Sequence, residues 1–135
     1  MQYPEAVREV ALGGADLIAC PTQGWEPVYG YCRAYENCVS IAVAMYVPCG
    51  RDLWEDCDPS CIVDNMGRVV AAASRDGSQV VTAELDITAE PPPQYGADAY
   101  TGMQSMRRIR MMQRRPDTYR LVTDPCPPVL TRYDK

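Results

Sequence analysis

The chain has 135 residues and a net charge of −5, from 13 basic and 18 acidic side chains. This length predicts one domain, and 47% hydrophobic with 23% charged residues argues against wholesale disorder. An acidic chain is a poor match for nucleic acid or an anionic membrane surface, and no apolar run is long enough to cross a bilayer. We therefore expect neither nucleic acid nor a membrane as a partner.

Histidine is absent from the sequence, and Lys135 is the only lysine. These counts exclude Ser-His-Asp triads, Cys-His pairs and His-ligated zinc. The seven cysteines contain no CxxC pair, so most are expected to be free, buried thiols, with disulfides or a metal as alternatives. The sequence thus predicts no metal and no cofactor. The N-terminal residues lack a signal-peptide pattern, which favours a cytoplasmic location.

The first predicted elements alternate between helix and strand. A helix begins at Pro4 and ends at a Gly-Gly pair, and an apolar strand follows over residues 16–20. A second helix over residues 26–38 and a β-rich strand over residues 39–47 repeat the pattern. A proline follows each strand and is expected to end it. This alternation predicts an α/β fold.

Three further strands are predicted after an acidic loop over residues 48–60. Residues 60–64 and 68–73 form a hairpin around Asn65-Met66-Gly67, because Asn and Gly accept positive φ angles. Alternating apolar residues over 79–87 predict a third strand beside this hairpin.

Composition changes at residues 91–93, a run of three prolines, which divides the chain into residues 1–90 and 91–135. Thr101 and Gln104 form a capping-box pattern for a helix over residues 102–114. The arginines of this helix are expected to be solvated or salt-bridged, with packing on a partner subunit as the alternative. The rest of the segment is predicted to be an extended tail.

Six short motifs follow one another along residues 1–120. They are Tyr3-Pro4-Glu5, Leu12-x-Gly14-Ala15-Asp16-Leu17-Ile18, Arg33-Ala34-Tyr35-Glu36-Asn37, Ser60-Cys61-Ile62-Val63-Asp64-Asn65-Met66-Gly67-Arg68-Val69, Glu84-Leu85-Asp86 and Arg114-Arg115-Pro116-Asp117-x-Tyr119. Their order and spacing resemble the C-terminal half of a nitrilase-superfamily carbon–nitrogen hydrolase, similar to aliphatic amidases and carbamoylases. The resemblance implies half of a nitrilase-type four-layer α-β-β-α sandwich, with residues 91–135 as a C-terminal helical tail.

The resemblance also implies a reaction whose catalytic residues this chain lacks. The family hydrolyses a linear amide or a related C–N bond through a Cys thioester, using a Glu base, a Lys and the Cys. The Cys normally lies a few residues before the segment that resembles Tyr3-Pro4-Glu5, so we expect all three residues upstream of Met1. The chain alone is then expected to be inactive. The alternatives are a non-catalytic interaction subunit and the second chain of a split amidohydrolase.

Two groups of residues are candidates for the surroundings of the active site. By resemblance, Gln2 and Tyr3 would lie beside the missing nucleophile. Thr22, Gln23 and Trp25 form a loop at a strand end and would line the substrate pocket, with a plain surface loop and a packed Trp as the alternative.

Arg33, Glu36 and Asn37 share one face of the second helix. A structural ion-pair and hydrogen-bond role is expected for them near the site, and direct substrate contact is the alternative. The strands over 16–20 and 39–45 are apolar on both sides, which predicts that other parts of the fold cover both faces of the sheet. We therefore expect a homo- or hetero-oligomer that binds a small-molecule amide only when an N-terminal half completes it.

Overall fold

The computed structural model describes residues 3–46, 58–74, 77–89, 91, 102 and 105–129. Within these residues the elements in chain order are α1 (Pro4–Leu12), β1 (Leu17–Thr22), α2 (Pro27–Asn37), β2 (Ser40–Met45), β3 (Cys61–Val63), β4 (Val69–Ala72) and α3 (Met106–Met112). Two short 3₁₀ turns, Pro116–Thr118 and Arg120–Val122, follow α3. The predicted mixed α/β fold is confirmed.

The four described strands form one sheet in the order β1-β2-β3-β4. β1 and β2 run parallel, from the pair Leu17 and Ser40 to the pair Thr22 and Met45, and α2 makes the crossover between them. β2, β3 and β4 are antiparallel neighbours. β1 and β4 are therefore the outer strands among the described residues.

The helix ends follow from local sequence. α1 and α2 each have a proline in the first turn, where no backbone donor is lost. α1 ends at the Gly-Gly pair, and Gly14 has a φ of +96°. α2 ends at Cys38, which takes the left-handed conformation with a φ of 51° and donates its backbone N–H to Tyr35 O.

One face of the sheet is covered by α1 and α2. Ile41 and Val63 are fully buried on this face, and Val43 and Cys61 nearly so. They pack with Ala11 of α1 and Ala34 of α2 in the main hydrophobic core. We call this the helix-covered face.

The opposite face, which we call the open face, also carries small and apolar side chains. The residues of β1, β2, β3 and β4 that point to it are Leu17, Ala19, Pro21, Ser40, Ala42, Ala44, Ile62 and Ala71. Leu17 is 46% exposed, and Ala19, Pro21 and Ala44 are also exposed. No described residue on this face is buried apart from Ser40.

The β3–β4 turn is organised by one carboxylate. Asp64 Oδ1 accepts hydrogen bonds from the backbone N–H groups of Met66 and Arg68, both at 2.9 Å. Asp64 Oδ2 accepts from Arg68 Nε at 2.8 Å and pairs with its Nη2 at 2.7 Å. Gly67 has a φ of +75° and lies so close to α2 that a Cβ would sit 2.9 Å from Tyr31 O. The predicted hairpin is confirmed, with β3 and β4 shorter than expected.

Two strand predictions are wrong in part or in whole. Residues 79–87 form no strand, although their apolar residues alternate; Val80 is almost fully exposed. β1 continues through Pro21 to Thr22 instead of ending at residue 20. Pro21 is tolerated because β1 is an outer strand of the described sheet, where a missing N–H leaves no ladder bond unmade.

The C-terminal helix is shorter than predicted, and Ser105 is its cap. Ser105 Oγ accepts a hydrogen bond from Arg108 N at 3.0 Å. Met106 and Ile109 are buried against Cys38 in a second, smaller cluster. The predicted Thr101–Gln104 capping box lies outside the described residues, as do residues 47–57 of the acidic loop region and Pro92 and Pro93 of the proline run.

Candidate functional site

The loop after β1 forms a compact turn at the carboxyl end of the parallel strands. Thr22 Oγ1 donates to Gly24 O at 3.1 Å and accepts from Gly24 N at 3.2 Å. Thr22 O also accepts from Tyr46 N at 2.8 Å, which ties the end of β1 to the end of β2. Thr22 is half-buried and Gln23 is exposed. Both side chains therefore lie at the carboxyl end of the parallel strands, where α/β folds place ligand contacts.

Trp25 belongs to the core. Its side chain is 1% exposed and packs directly against Gly30, where a Cβ would overlap three atoms of the indole ring. The indole N–H is buried and makes no hydrogen bond of normal geometry among the described residues, although it lies close enough to the Cys61 thiol to act on its pKa. This position favours the packed-Trp interpretation, while the role of the loop in a pocket stays a prediction.

The structure packs Cys61 and Tyr31 with Trp25, and the charge of Asp58 acts on both of them. The sequence did not single out any of these three residues as part of a site, and we call the four residues the Trp25 cluster. Burial raises the pKa of the Cys61 thiol, the Asp58 charge raises it further, and the Trp25 indole partly opposes them. Burial also raises the pKa of the Tyr31 hydroxyl, with smaller contributions from the charges of Cys61 and Asp58. The only sequence signals for this cluster are the helical spacing of Tyr31, which places it on the apolar side of α2, and the position of Cys61 in the hairpin motif.

These shifts oppose a nucleophilic role for Cys61. The attacking species in acyl transfer is the thiolate, and a raised pKa keeps the thiol protonated near neutral pH. Since the sequence has no histidine and its one lysine is Lys135, neither residue type is at hand among the described residues to activate it. The cluster is suited to packing and to shaping a pocket wall.

The predicted polar cluster on α2 is present. Arg33 Nη1 contacts Glu36 Oε1 at 2.9 Å, and the two side chains are 13% and 36% exposed. Asn37 is fully buried, and its Nδ2 donates to Arg33 O at 2.8 Å and to Glu36 Oε1 at 3.4 Å. A structural role fits this geometry, because each side chain is held by another on the same helix.

Two buried atoms of this cluster have no hydrogen-bond partner among the described residues. They are Arg33 Nε, a donor, and Asn37 Oδ1, an acceptor. Buried polar groups of native proteins are nearly always satisfied by protein or ordered water. The cluster therefore has one donor and one acceptor available for further polar contacts, which leaves the substrate-contact alternative open.

The remaining predicted pocket residues lie at the start of the chain. Tyr3 precedes α1 and is 72% exposed, and Gln2 lies outside the described residues.

Of the cysteines, Cys32 and Cys126 are exposed, so the expectation of buried thiols is wrong for them.

Neither a metal cluster nor a membrane-spanning helix is present in the described ranges. No group of three or more Cys, Asp or Glu side chains within the described ranges has the arrangement of a metal site. None of the helices in those ranges is long and apolar enough to cross a membrane.

A cleft of about 210 Å³ lies at the opposite end of the sheet, near the start of β1. It is lined by Asp16, Cys38, Asn65, Ile87, Thr88, Ala89, Pro91 and Arg107. Asn65 Nδ2 donates to Ala89 O at 2.6 Å across one side of it. None of the predicted pocket residues lines this cleft.

Residues 1–90 match the family model described as carbon–nitrogen hydrolase. Among solved structures, the chain is similar to a carbon–nitrogen hydrolase from Helicobacter pylori G27, with 21% identity and a TM-score of 0.59 over 90% of this chain and 46% of that one. It is also similar to Saccharomyces cerevisiae Nit3, a member of branch 10 of the nitrilase superfamily, with 24% identity and a TM-score of 0.50 over 79% of this chain and 40% of that one. The chain thus spans less than half the length of both structures. No curated protein matches it.

Proposed function

Because the chain belongs to the carbon–nitrogen hydrolase family, we propose that it supplies the C-terminal half of a catalytic domain that hydrolyses a linear amide or a related C–N bond. In this proposal an N-terminal half brings the Glu, the Lys and the nucleophilic Cys. The present residues contribute the second half of the fold and one wall of the substrate pocket. The completed enzyme is proposed to be cytoplasmic and oligomeric.

The open face is the observation that carries this proposal. One layer of helices buries the helix-covered face, whereas the open face leaves Leu17, Ala19, Pro21 and Ala44 exposed. A continuous apolar face on a sheet is stable when a second layer covers it. A second sheet from the N-terminal half is the occupant that the α-β-β-α family architecture provides.

The outer position of β1 supports the same proposal. β1 pairs with β2 along its whole length, and its other edge has no strand beside it among the described residues. Apart from Pro21, which has no N–H to donate, this outer strand of six residues presents backbone donors and acceptors to a further strand. We propose that the strand carrying the nucleophile pairs here, which would place the Cys close to Tyr3 and to the loop after β1.

The proposed chemistry assigns supporting roles to this chain. Attack of a thiolate on an amide needs an activating base and donors for the oxyanion, both of which the N-terminal half would hold. The half-buried Thr22 and the exposed Gln23 would face the acyl group from the carboxyl end of the sheet. The Arg33–Glu36 pair would brace α2 behind that wall.

The test is reconstitution with the polypeptide encoded upstream of Met1. The two parts are expressed together and assayed with aliphatic amides, carbamoyl amino acids and nitriles, and residues 1–135 are assayed alone. We expect turnover only in the co-expressed sample, and its loss when the upstream nucleophilic Cys is changed to Ala. Turnover by residues 1–135 alone, abolished by one Cys→Ala change within them, would contradict the proposal.

A matched pair of variants tests the role of the open face. Ala44→Asp places a charge on this face, and Val122→Asp places the same charge on an exposed residue beyond the family-matched region. We expect Ala44→Asp to prevent co-purification and activity, with Val122→Asp unaffected. Equal behaviour of the two variants would mean that the open face is not the surface on which the N-terminal half packs.

A further inference from the structure

Helix α3 lies beyond the family-matched residues and contacts the ends of two other helices. Arg107 Nη2 donates to Ala15 O at 2.7 Å and to Ala11 O at 3.4 Å, and Arg107 Nη1 pairs with Asp16. These acceptors are the last carbonyls of α1 and the residues just after it. Arg107 thus closes the C-terminal end of α1.

Arg110, one turn further along α3, closes the C-terminal end of α2. Its guanidinium donates to Tyr35 O, lies 3.2 Å from Cys38 Sγ and stacks on the Tyr35 ring at 4.1 Å from the ring centre. Cationic groups are favourable at helix C-termini, where carbonyl groups lack helical partners. The two arginines therefore connect α1 and α2 through α3.

The buried contacts of α3 are few. Met106 and Ile109 pack with Cys38 in a cluster separate from the main core around Trp25 and Ile41, and Met111, which is only partly buried, rests against that core and contacts Arg8 Nη1 at 3.5 Å. A helix of seven residues is too short to persist by itself in water. Undocking and unwinding of α3 are therefore expected to occur together.

We propose that α3 docks over Cys38 and the 210 Å³ cleft and undocks from them as one unit. In this proposal the contacts of Arg107 and Arg110 determine the fraction of molecules in which α3 is docked. Opening would expose the Cys38 thiol and uncover the Arg107 side of the cleft while leaving the sheet intact. This device is independent of the proposed hydrolase function, because it uses contacts at the opposite end of the sheet.

The test uses N-ethylmaleimide on the full chain, with labelling of each cysteine followed by mass spectrometry. Cys38 and Cys61 are both 4% exposed, but Cys38 clusters with Met106 and Ile109 of α3, whereas Cys61 belongs to the main core, so Cys61 reports on opening of that core. Cys32 is exposed and gives the rate of an open thiol. Arg107→Met and Arg110→Met should each raise the Cys38 rate about tenfold, because each removes charge-assisted hydrogen bonds. The Cys61 rate should stay unchanged.

Arg108→Met is the matched control, since Arg108 is exposed on the same helix. We expect it to leave both rates unchanged. Equal acceleration of Cys38 and Cys61 in the Arg107 and Arg110 variants, or no acceleration of Cys38, would overturn the proposal.

Hydrogen exchange on the unmodified chain provides a second test that needs no variant. The amides of Ile109 and Gln113, which donate within α3, should exchange together and faster than the amides of β2 and β3. Exchange of α3 amides at the same slow rate as the sheet would show that α3 opens only with the whole fold, and would overturn the proposal.

Discussion

The two faces of the sheet have similar apolar composition and opposite environments. On the helix-covered face, Ile41 and Val63 are fully buried beneath α1 and α2. On the open face, Leu17 remains 46% exposed and Ala44 is also exposed. A one-sided sheet normally alternates apolar with polar residues, whereas apolar residues on both sides are typical of a sheet covered twice. The difference teaches that these strands are suited to a larger assembly than the helices alone provide.

The largest effect is expected from a substitution at the centre of the helix-covered face. Ile41→Ala should lower the free energy of unfolding by about 3 kcal/mol, because it deletes buried methyl groups and leaves a cavity. Urea denaturation followed by circular dichroism measures the change. A loss below about 1 kcal/mol would mean that this face is not the main core.

Gly30→Ala should destabilise the chain by about 2 kcal/mol through overpacking. The new methyl group would occupy the position of the Trp25 ring, and the indole is enclosed by the core. Trp fluorescence during thermal unfolding reports both the lower Tm and the displaced ring, if Trp54 is replaced by Phe in both proteins. Gly24→Ala is the control, since a Cβ at Gly24 meets no atom within 4 Å.

The Trp25 cluster predicts a pH dependence of smaller size. The pKa values of Cys61 and Tyr31 are raised above their ordinary 9.0 and 10.0, so the folded state holds both protons more tightly than the unfolded state. The stabilisation is present below pH 9.0 and is lost as the pH rises through the raised values. Cys61→Ala should make this alkaline decline shallower, whereas Cys32→Ala, at an exposed thiol, should not.

The smallest effect is expected on the open face. Leu17→Ala should change the free energy of unfolding of the separate chain by about 0.5 kcal/mol, because the side chain is already half in water. The same variant should weaken reconstitution with the upstream polypeptide, measured by co-purification yield. A large loss of stability in the separate chain would show that Leu17 is buried without a partner.

Local sequence signals predicted α1, α2 and the β3–β4 hairpin because each has its cause within a few residues. Pro4 and the Gly-Gly pair limit α1, and Asp64 with Gly67 forms the turn. Periodicity failed for residues 79–87, since alternation describes the side chains and a strand also needs a neighbour with which to pair. The prediction that Pro21 ends β1 failed because a proline is tolerated in an outer strand, and the local sequence does not show whether β1 is one.

The candidate site was predictable only where its contacts are local. Arg33, Glu36 and Asn37 are within one turn of α2, so their spacing revealed their hydrogen bonds. The environment of Trp25 involves Cys61, which lies 36 positions along the chain, and no local pattern indicates that contact. The helix-capping roles of Arg107 and Arg110 were missed for the same reason, since their acceptors belong to the first two helices.

The backbone of Cys38 implies a compromise in what this position tolerates. A non-glycine residue with a φ of 51° carries a conformational cost of about 1 kcal/mol, which glycine would avoid. Glycine would also delete the sulfur that meets Arg110 and packs with Met106 and Ile109. Asparagine accepts this backbone but brings a polar group into an apolar cluster. A substitution that lowers the conformational cost of the backbone at this position therefore loses side-chain packing, and few residue types satisfy both requirements.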